Sequence, residues 1–570
     1  MKLLAASAFR TKHAVAALLA LSLAGPTITG CRPASPPQVA DETTAQLEVV
    51  AVGDSEFGAV VHRLLREGKT TPQRSGLLAG AVRRQLKHAQ QHFANGDAGR
   101  GTDAVVGALY LIRIGELHRD TIDAEEAKPL QGAIKHFSAR GDEGRVLALM
   151  TLRKGVLPAA SPAIAQQEKR RAVVEAWARA TRTGGDITRL AADRRRTVAR
   201  SLLEPSDAAL QRAATAVNAW IERAIRYSLD AQQTKKLPPR AERSEALRAL
   251  EGGAATMASL FLRHGRAKDA VAMLKSSAAR TIAQPLLFQQ LRAVAEQDDA
   301  EHWRELTRSY AMAKANIRGK QDLAGLQNVD ARLLDAALWG IALEAYRRDP
   351  SSLAVGHILA QRLVALEMAE VAPLVLADAL GSKPSVAALG ATLTTVHKAL
   401  ALELGAPPNT ARRIYANAGP LLTLADGAPY GNQLGPVTAS IRRTMASIEL
   451  HHGQLAPAKQ LLNKALQQAP TAWGYTMLGL LERQAGNKAL ALRDATRAIA
   501  LATESSMVLD AVDAKLLSFE VLRDHGDKEK AGAMLGEALV QVLRFRKGAA
   551  NARAHVRAER QLARILDGYG

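Results

Sequence analysis

The chain has one cysteine in 570 residues, at position 31. A single thiol excludes an intrachain disulfide framework and any zinc site built from several cysteines. Aromatic residues are only 4% of the sequence although 47% is hydrophobic, so an interior must be built mostly from Ala, Leu and Val. Such an interior suits closely stacked helices and disfavours a β-sandwich or barrel, whose strands draw on aromatic and β-branched residues. Acidic residues are also in short supply, with 55 Asp and Glu against 76 Lys and Arg, for a formal charge of +21. The apolar run from Ala14 to Leu23 is too short to cross a bilayer comfortably.

What is there begins with that run. Lys2, Arg10 and Lys12 precede it with no acidic residue, which reads as an export signal over residues 1–30. It leads into Ile28-Thr29-Gly30-Cys31, which resembles the lipobox of bacterial lipoproteins. The resemblance implies that Cys31 becomes the acylated first residue of the mature protein. Arg32 stands where, in the enterobacterial sorting rule, an Asp would retain the protein in the inner membrane. The expected location is therefore the outer membrane, facing the periplasm. Residues 31–55, with Pro33, Pro36 and Pro37, read as an extended tether. Loss of the signal removes three positive charges and takes +21 to +18. For an exported protein, that basic balance points away from nucleic acid and toward anionic lipid headgroups, lipopolysaccharide phosphates, peptidoglycan carboxylates or acidic proteins. Charge kept only for solubility would give the same balance.

The clearest internal pattern lies between Ile441 and Leu501. Gly453, Ala458, Leu462 and Ala465 recur as Gly486, Ala491, Ala495 and Ala498, each 33 residues on. That is the period of a helix-turn-helix solenoid. Each copy predicts a helix that ends at a glycine and a second helix that folds back on it, with small residues letting the two approach. Tyr475, Leu478, Gly479, Ala491 and Ala498, with Pro470 closing the first copy, resemble the signature of the tetratricopeptide repeat. Ala458, Ala465, Leu478, Gly479, Ala491 and Ala498 are accordingly expected to pack the repeats. Glu449 and Glu482 stand where that family usually has tyrosine, and Arg442 replaces its first aromatic.

Other turns extend the pattern. Gly96-Asp97-Ala98-Gly99-Arg100 and Gly141-Asp142-Glu143-Gly144-Arg145 share one spelling at an interval of 45, and Gly184-Gly185-Asp186 follows. Gly265 before Ala270 and Leu274 matches Gly526 before Ala531 and Leu535. Pro158, Pro162, Pro238 and Pro239 mark loops between hairpins. The expected architecture is an all-α solenoid of stacked hairpins: an N-terminal array over 56–348, an irregular helical connector over 349–436, and C-terminal repeats over 437–570 ending in a basic capping helix. The connector could equally be a hinge or a distinct domain.

Several candidate sites have simpler readings. Gly99, Gly101 and Ala104 spell a dinucleotide fingerprint without the strand it requires, so a turn accounts for them. His88 and His92 have the four-residue spacing of a two-histidine metal site, but the general base of a zinc protease is missing and a solvated helix face is expected. Asp120, Asp123, Glu125 and Glu126 suit the opening of a helix as well as they suit acid-base chemistry. Arg140-Gly141-Asp142 spells an adhesion tripeptide but coincides with a turn. Arg553, Arg557, Arg560 and Arg564 fall on one helical stripe and form the candidate surface for an anion or a partner, or the wet side of a cap.

These features predict a lipid-anchored periplasmic scaffold that binds another protein in assembling or regulating the cell envelope. They predict no enzyme, no cofactor and no resident metal. The alternatives are an enzyme acting on peptidoglycan or polysaccharide, or a protein that binds an anionic glycan or lipid directly.

Overall fold

A computed structural model describes residues 52–53, 56–68, 72–115, 127–154, 186–204, 206–234, 239–276, 285–315, 325–381, 383–547 and 552–569. The described residues form helices and connecting turns, with no strand among them. None of these helices is long and apolar enough to cross a membrane. The helices fall into two compact units, one over residues 67–348 and the other over 53–66 with 349–570. Cys31 and the cluster Asp120, Asp123, Glu125 and Glu126 lie outside the described residues, as do Gly184, Gly185, Pro158, Pro162 and Pro238.

Along the chain, α1 (Phe57–Glu67) comes first and packs in the second unit. The first unit then runs through α2 (Pro72–Ala94), α3 (Ala98–Ile114), α4 (Pro129–Ala139), α5 (Glu143–Lys154), α6 (Ile187–Ser201), α7 (Asp207–Thr234) and α8 (Arg240–Leu262). It closes with α9 (Ala267–Ser276), α10 (Pro285–Glu296), α11 (Ala300–Lys314) and α12 (Ala331–Arg348). Consecutive helices are the neighbours, α2 with α3 and α7 with α8 among them.

One device makes most of the tight turns. At Gly96, Gly141, Gly265, Gly453, Gly486 and Gly526 the backbone has φ between 66° and 80°. There the next residue's amide donates back to a carbonyl five residues earlier, as in Asp97 N to His92 O at 2.9 Å and Asn487 N to Glu482 O at 2.8 Å. This closure satisfies carbonyls that a helix end would leave open, and glycine enters the left-handed region without a Cβ penalty. Asp97 and Asp142 then cap the following helix, accepting from Arg100 N at 3.0 Å and Arg145 N at 3.3 Å. The shared spelling at 96 and 141 is thus a stop signal followed by a start signal. Gly99 and Gly101 lie inside α3, which follows a helix rather than a strand. An added Cβ on Gly101 would lie 3.0 Å from the Phe93 ring, so close packing explains that glycine.

The second unit contains α13 (Leu353–Ala365), α14 (Ala372–Leu380), α15 (Val386–Ala401), α16 (Pro408–Asn417), α17 (Gly419–Asp426) and α18 (Gly431–His451). It continues with α19 (Leu455–Gln468), α20 (Ala472–Gln484), α21 (Lys488–Glu504), α22 (Val508–Asp524), α23 (Lys528–Lys547) and α24 (Ala552–Tyr569). Residues 349–436 are built mainly of helices, and three of their eight prolines open one: Pro373, Pro408 and Pro420 occupy first-turn positions where no backbone donor is needed. The expected boundary after residue 436 falls inside α18, with Pro436 within that helix. Leu393, Val396, Ile414 and Leu421 share one core with Ile441, Met445 and Ile448, which is why the connector does not separate from the repeats. The first helix joins this unit through a hydrogen bond of 3.0 Å between His62 Nε2 and Asp378 Oδ2, although the sequence placed it at the head of the N-terminal array.

From α18 onward, successive hairpins stack as an all-α solenoid. Ala458, Ala465, Ala491 and Ala498 are each fully buried, and Leu478 is 5% exposed. Ala472, Ala498, Ala502, Ala511 and Ala514 form an apolar seam in which small side chains allow close helix approach. The third turn, at Gly526, follows Gly486 by 40 residues rather than 33, because α22 and the preceding α21 are longer than their counterparts.

Candidate protein-binding groove

The first helices of the last hairpins, α20 and α22, and the final helix α24 line a groove of about 370 Å³. Its floor is Trp473, Met477 and Leu480 from α20 with Leu517 from α22. Trp473, Met477 and Leu480 follow a three- and four-residue spacing that places them on one helix face. All three are only partly buried, whereas Leu517 is 1% exposed.

The rim is ionic. Arg557 of α24 donates to Asp510 at 2.5 Å and Asp513 at 2.6 Å, both on α22. Arg564 lies 3.6 Å from Asp513 and donates to Glu520 at 3.0 Å. Glu520 also accepts from Arg483 of α20, which pairs in turn with Asp524 at 2.7 Å. These pairs form a ladder across three helices. Beside it the buried Gln561 donates to the Leu509 carbonyl at 2.7 Å and fixes α24 on α22. Burial opposes the Arg557 charge, but its hydrogen bonds to Asp513 and Asp510 outweigh that, and its pKa lies above the ordinary arginine value.

This geometry separates the arginines of the expected stripe. Arg557 and Arg564 bind acids of their own unit, and Arg560 is exposed. Arg553 lies in α24, and its side chain is outside the described residues. Periodicity within one helix finds the stripe, yet the complementary acids at Asp510, Asp513 and Glu520 lie more than 40 residues earlier. Their own spacing of three and seven is the signal that could have paired them with it.

No protein-family model matches the chain. No curated protein matches it either. Among solved structures it is similar to a circular tandem repeat protein with novel repeat topology and enhanced subunit contact surfaces, at 14% identity, covering 90% of this chain and 95% of that one with a TM-score of 0.13. That score is too low for the likeness to bear on the architecture, which stands on the helices themselves.

The departures from the repeat signature are buried polar positions with partners. Glu449 receives Arg412 in a two-bonded pair at 2.7 and 2.6 Å. Glu482 accepts from Lys459 at 2.7 Å and from Asn487 at 2.8 Å. Arg442 is 5% exposed and pairs with Asp426 at 2.5 Å. Sequence reading noted the three unusual residues and missed Arg412, Lys459 and Asp426.

The remaining candidates fall elsewhere. Gly479 is buried in α20, where an added Cβ would meet Leu517 Cδ2 at 2.7 Å and the Ala491 carbonyl oxygen at 3.1 Å. His88 and His92 share a face of α2, with ring centroids 4.5 Å apart. His92 is 8% exposed and His88 partly buried, so that face is packed rather than solvated as expected. Arg140-Gly141-Asp142 forms the turn into α5, and Asp142 caps that helix.

Proposed function

We propose that the protein is a lipid-anchored periplasmic scaffold whose C-terminal hairpins hold a segment of another protein of the cell envelope. The observation that carries the binding reading is the groove floored by Trp473, Met477 and Leu480 and rimmed by charges that neutralise one another. Its volume accommodates a few side chains. Because the rim charges are already paired, recognition relies on apolar anchors set into the floor, and the occupant is an uncharged, apolar stretch of a protein chain. Half-buried aromatic and methionine side chains are the residues that such docking favours. The anchor and the location rest on the Ile28-Thr29-Gly30-Cys31 stretch and on Arg32.

The test places a photocrosslinking residue at Met477 in intact cells. A discrete adduct that Trp473→Ala abolishes supports the groove reading. Adducts that are absent, or equally strong with Trp473→Ala, overturn it. Separately, Cys31→Ser is expected to move the protein from the membrane fraction to the soluble fraction, since two or three acyl chains bind through about 0.8 kcal/mol for each buried methylene. A wild-type protein recovered soluble and unmodified removes the anchor and leaves the groove to be judged on its own.

A further inference from the structure

The outer face of α23 and α24 in the second unit is apolar where the end of a helical stack is expected to be polar. Five of the eleven large apolar side chains exposed among the described residues lie on these two helices: Val540 and Leu543 on α23, and Val556, Leu566 and Tyr569 on α24. Each is 40–58% exposed. Apolar side chains scattered singly over a surface need no explanation, but nearly half of them on two adjoining helices mark a face built to be covered. Two ties set the register of the pair. Arg546 bonds Glu559 at 2.6 Å, and an added Cβ on Gly536 would lie 3.9 Å from the Tyr569 hydroxyl. Both ties belong to one antiparallel register, which sets Ala563 level with Val542 and beside Leu543.

The exposed line of α24 reads Val556, Arg560, Ala563 and Asp567, at offsets of four, three and four, so all four share one helix face. Neither Arg560 nor Asp567 has an ion-pair partner among the described residues. The charges around this line are engaged or lie off it. Glu559 is held by Arg546 and lies 3.5 Å from His555, Arg557 and Arg564 bind acids of α22, and Glu537 accepts from Lys515. Arg544 stands two residues from Arg546, about 200° round the helix, and so faces away from α24. The side chains of Lys547 and Arg553 lie outside the described residues. What remains is one cation and one anion on either side of a small residue.

We propose that this face docks against the same face of a second copy of the chain, with the two α24 helices antiparallel and crossing at Ala563. The pattern is self-complementary in that arrangement. With Ala563 on a two-fold axis, Arg560 lies about 4.5 Å to one side of it along the helix, and Asp567 of the second copy lies about 6 Å to the same side. Two ion pairs form, one in each direction, as an isologous interface requires. A parallel pairing would instead set Arg560 against Arg560 and Asp567 against Asp567. The Ala563 methyl lets the backbones approach, and the two-fold axis keeps α23 on the same side in both copies. Leu543 then faces its counterpart near the axis, and Val540, Leu566 and Tyr569 leave water beside it. The 18 residues of α24 span about 27 Å, and a face two helices wide covers roughly 500 Å² per copy. That is less than the roughly 800 Å² per partner of a standard interface, so the dimer is a reversible one. The inference goes beyond the groove, which α24 rims with the side that meets α22, and either assignment stands without the other.

The experiment follows sedimentation of the full chain carrying Cys31→Ser, which removes the only thiol, from about 1 to about 100 μM. A reversible equilibrium between monomer and dimer is expected. Arg560→Asp and Asp567→Arg each place like charges opposite one another twice, and each is expected to weaken the dimer at least about tenfold. Arg308→Asp changes an exposed charge in the first unit and is expected to leave the dimer as it is. Mixing the two single variants restores both ion pairs, so the mixture is expected to associate as the parent does, and so is the double variant Arg560→Asp with Asp567→Arg. The crossing point is read by adding Ala563→Cys, which is expected to link two chains on mild oxidation. Ala533→Cys, exposed on α23 but far along it from the axis, is expected not to. Circular dichroism verifies that every variant folds. A monomer at every concentration overturns the proposal and leaves the face to a different protein. A dimer indifferent to both single changes, a mixture that stays monomeric, or equal linking at positions 533 and 563 overturns it as well.

Discussion

Replacing Gly479 tests the hairpin packing most sharply. A Cβ at this position would lie 2.7 Å from Leu517 Cδ2, 3.1 Å from the Ala491 carbonyl oxygen and 3.6 Å from Asp494 Cβ. The first neighbour is the end of a flexible side chain and can rotate. The second is backbone of α21 and yields only if that helix shifts. For Gly479→Ala, the helix-propensity gain of about 1 kcal/mol offsets part of an overpacking penalty of about 1–3 kcal/mol. The expected net effect is a destabilisation of about 0–2 kcal/mol. Leucine adds three more carbons to a space that lacks room for one. Expelling the Leu517 tip forfeits up to about 1.5–3 kcal/mol of its burial, so Gly479→Leu is expected to destabilise by about 3 kcal/mol. Leu517→Ala alone is expected to destabilise by about 2–5 kcal/mol through the cavity it opens. Combined with Gly479→Leu, it should be milder than the sum of the two, with a coupling of more than about 0.5 kcal/mol. Equilibrium urea denaturation read by circular dichroism and tryptophan fluorescence supplies the four free energies. A leucine variant within about 0.5 kcal/mol of the parent, or strict additivity in the cycle, refutes the packing argument.

Three further outcomes follow from other positions. Ser506 sits at φ 55° in the turn before α22, where the turns at 453, 486 and 526 of the same stack carry glycine, so Ser506→Gly should stabilise by about 0.5–1 kcal/mol in the same denaturation assay. Arg557→Gln breaks two rungs of the ladder; because the side chain is 42% exposed, a loss of about 0.5–1 kcal/mol is expected, shrinking as salt is raised. The Glu482 carboxyl is held below its ordinary pKa: burial pushes it up, but the hydrogen bonds from Lys459 and Asn487 prevail. Its contribution is therefore fully present above the pKa of the unfolded chain and is lost as pH falls through the lower, folded value. Glu482→Gln should flatten the acid limb of the stability profile, and an unchanged limb would assign that loss to other groups.

The parts of the fold that were legible in the sequence are those whose signal is local. A glycine followed by Asp states both the stop of one helix and the start of the next at 96 and 141, whereas at 486 the glycine is the stop and the Asn487 side chain donates back to Glu482. The alanines at 458, 465, 491 and 498 reveal themselves because a packing position repeats with the hairpin. Sites assembled from distant residues leave no such trace. Arg332 pairs with Asp142, 190 residues before it, and no periodicity links the two. Glu482 looks like a misfit until Lys459, on the preceding hairpin, is seen to pair with it at 2.7 Å. The arginines of α24 are legible as a stripe, but their engagement with Asp510, Asp513 and Glu520 depends on which helix lies alongside.

The ionic ladder gives the C-terminal stack two unlike sides. Where α20, α22 and α24 adjoin, Arg483, Glu520, Arg564, Asp513 and Arg557 tie one helix to the next. Around α21, the contacts are mainly apolar, with its alanines set against alanines of α20 and α22 and against Leu517 and Val521. Raising the ionic strength from physiological to 1 M shortens the screening length from about 8 Å to about 3 Å, which weakens the first kind of tie and leaves the second untouched. Salt therefore loosens the ties between α20, α22 and α24 while sparing the apolar packing around α21, so the two sides of the stack depend on different features of the solvent.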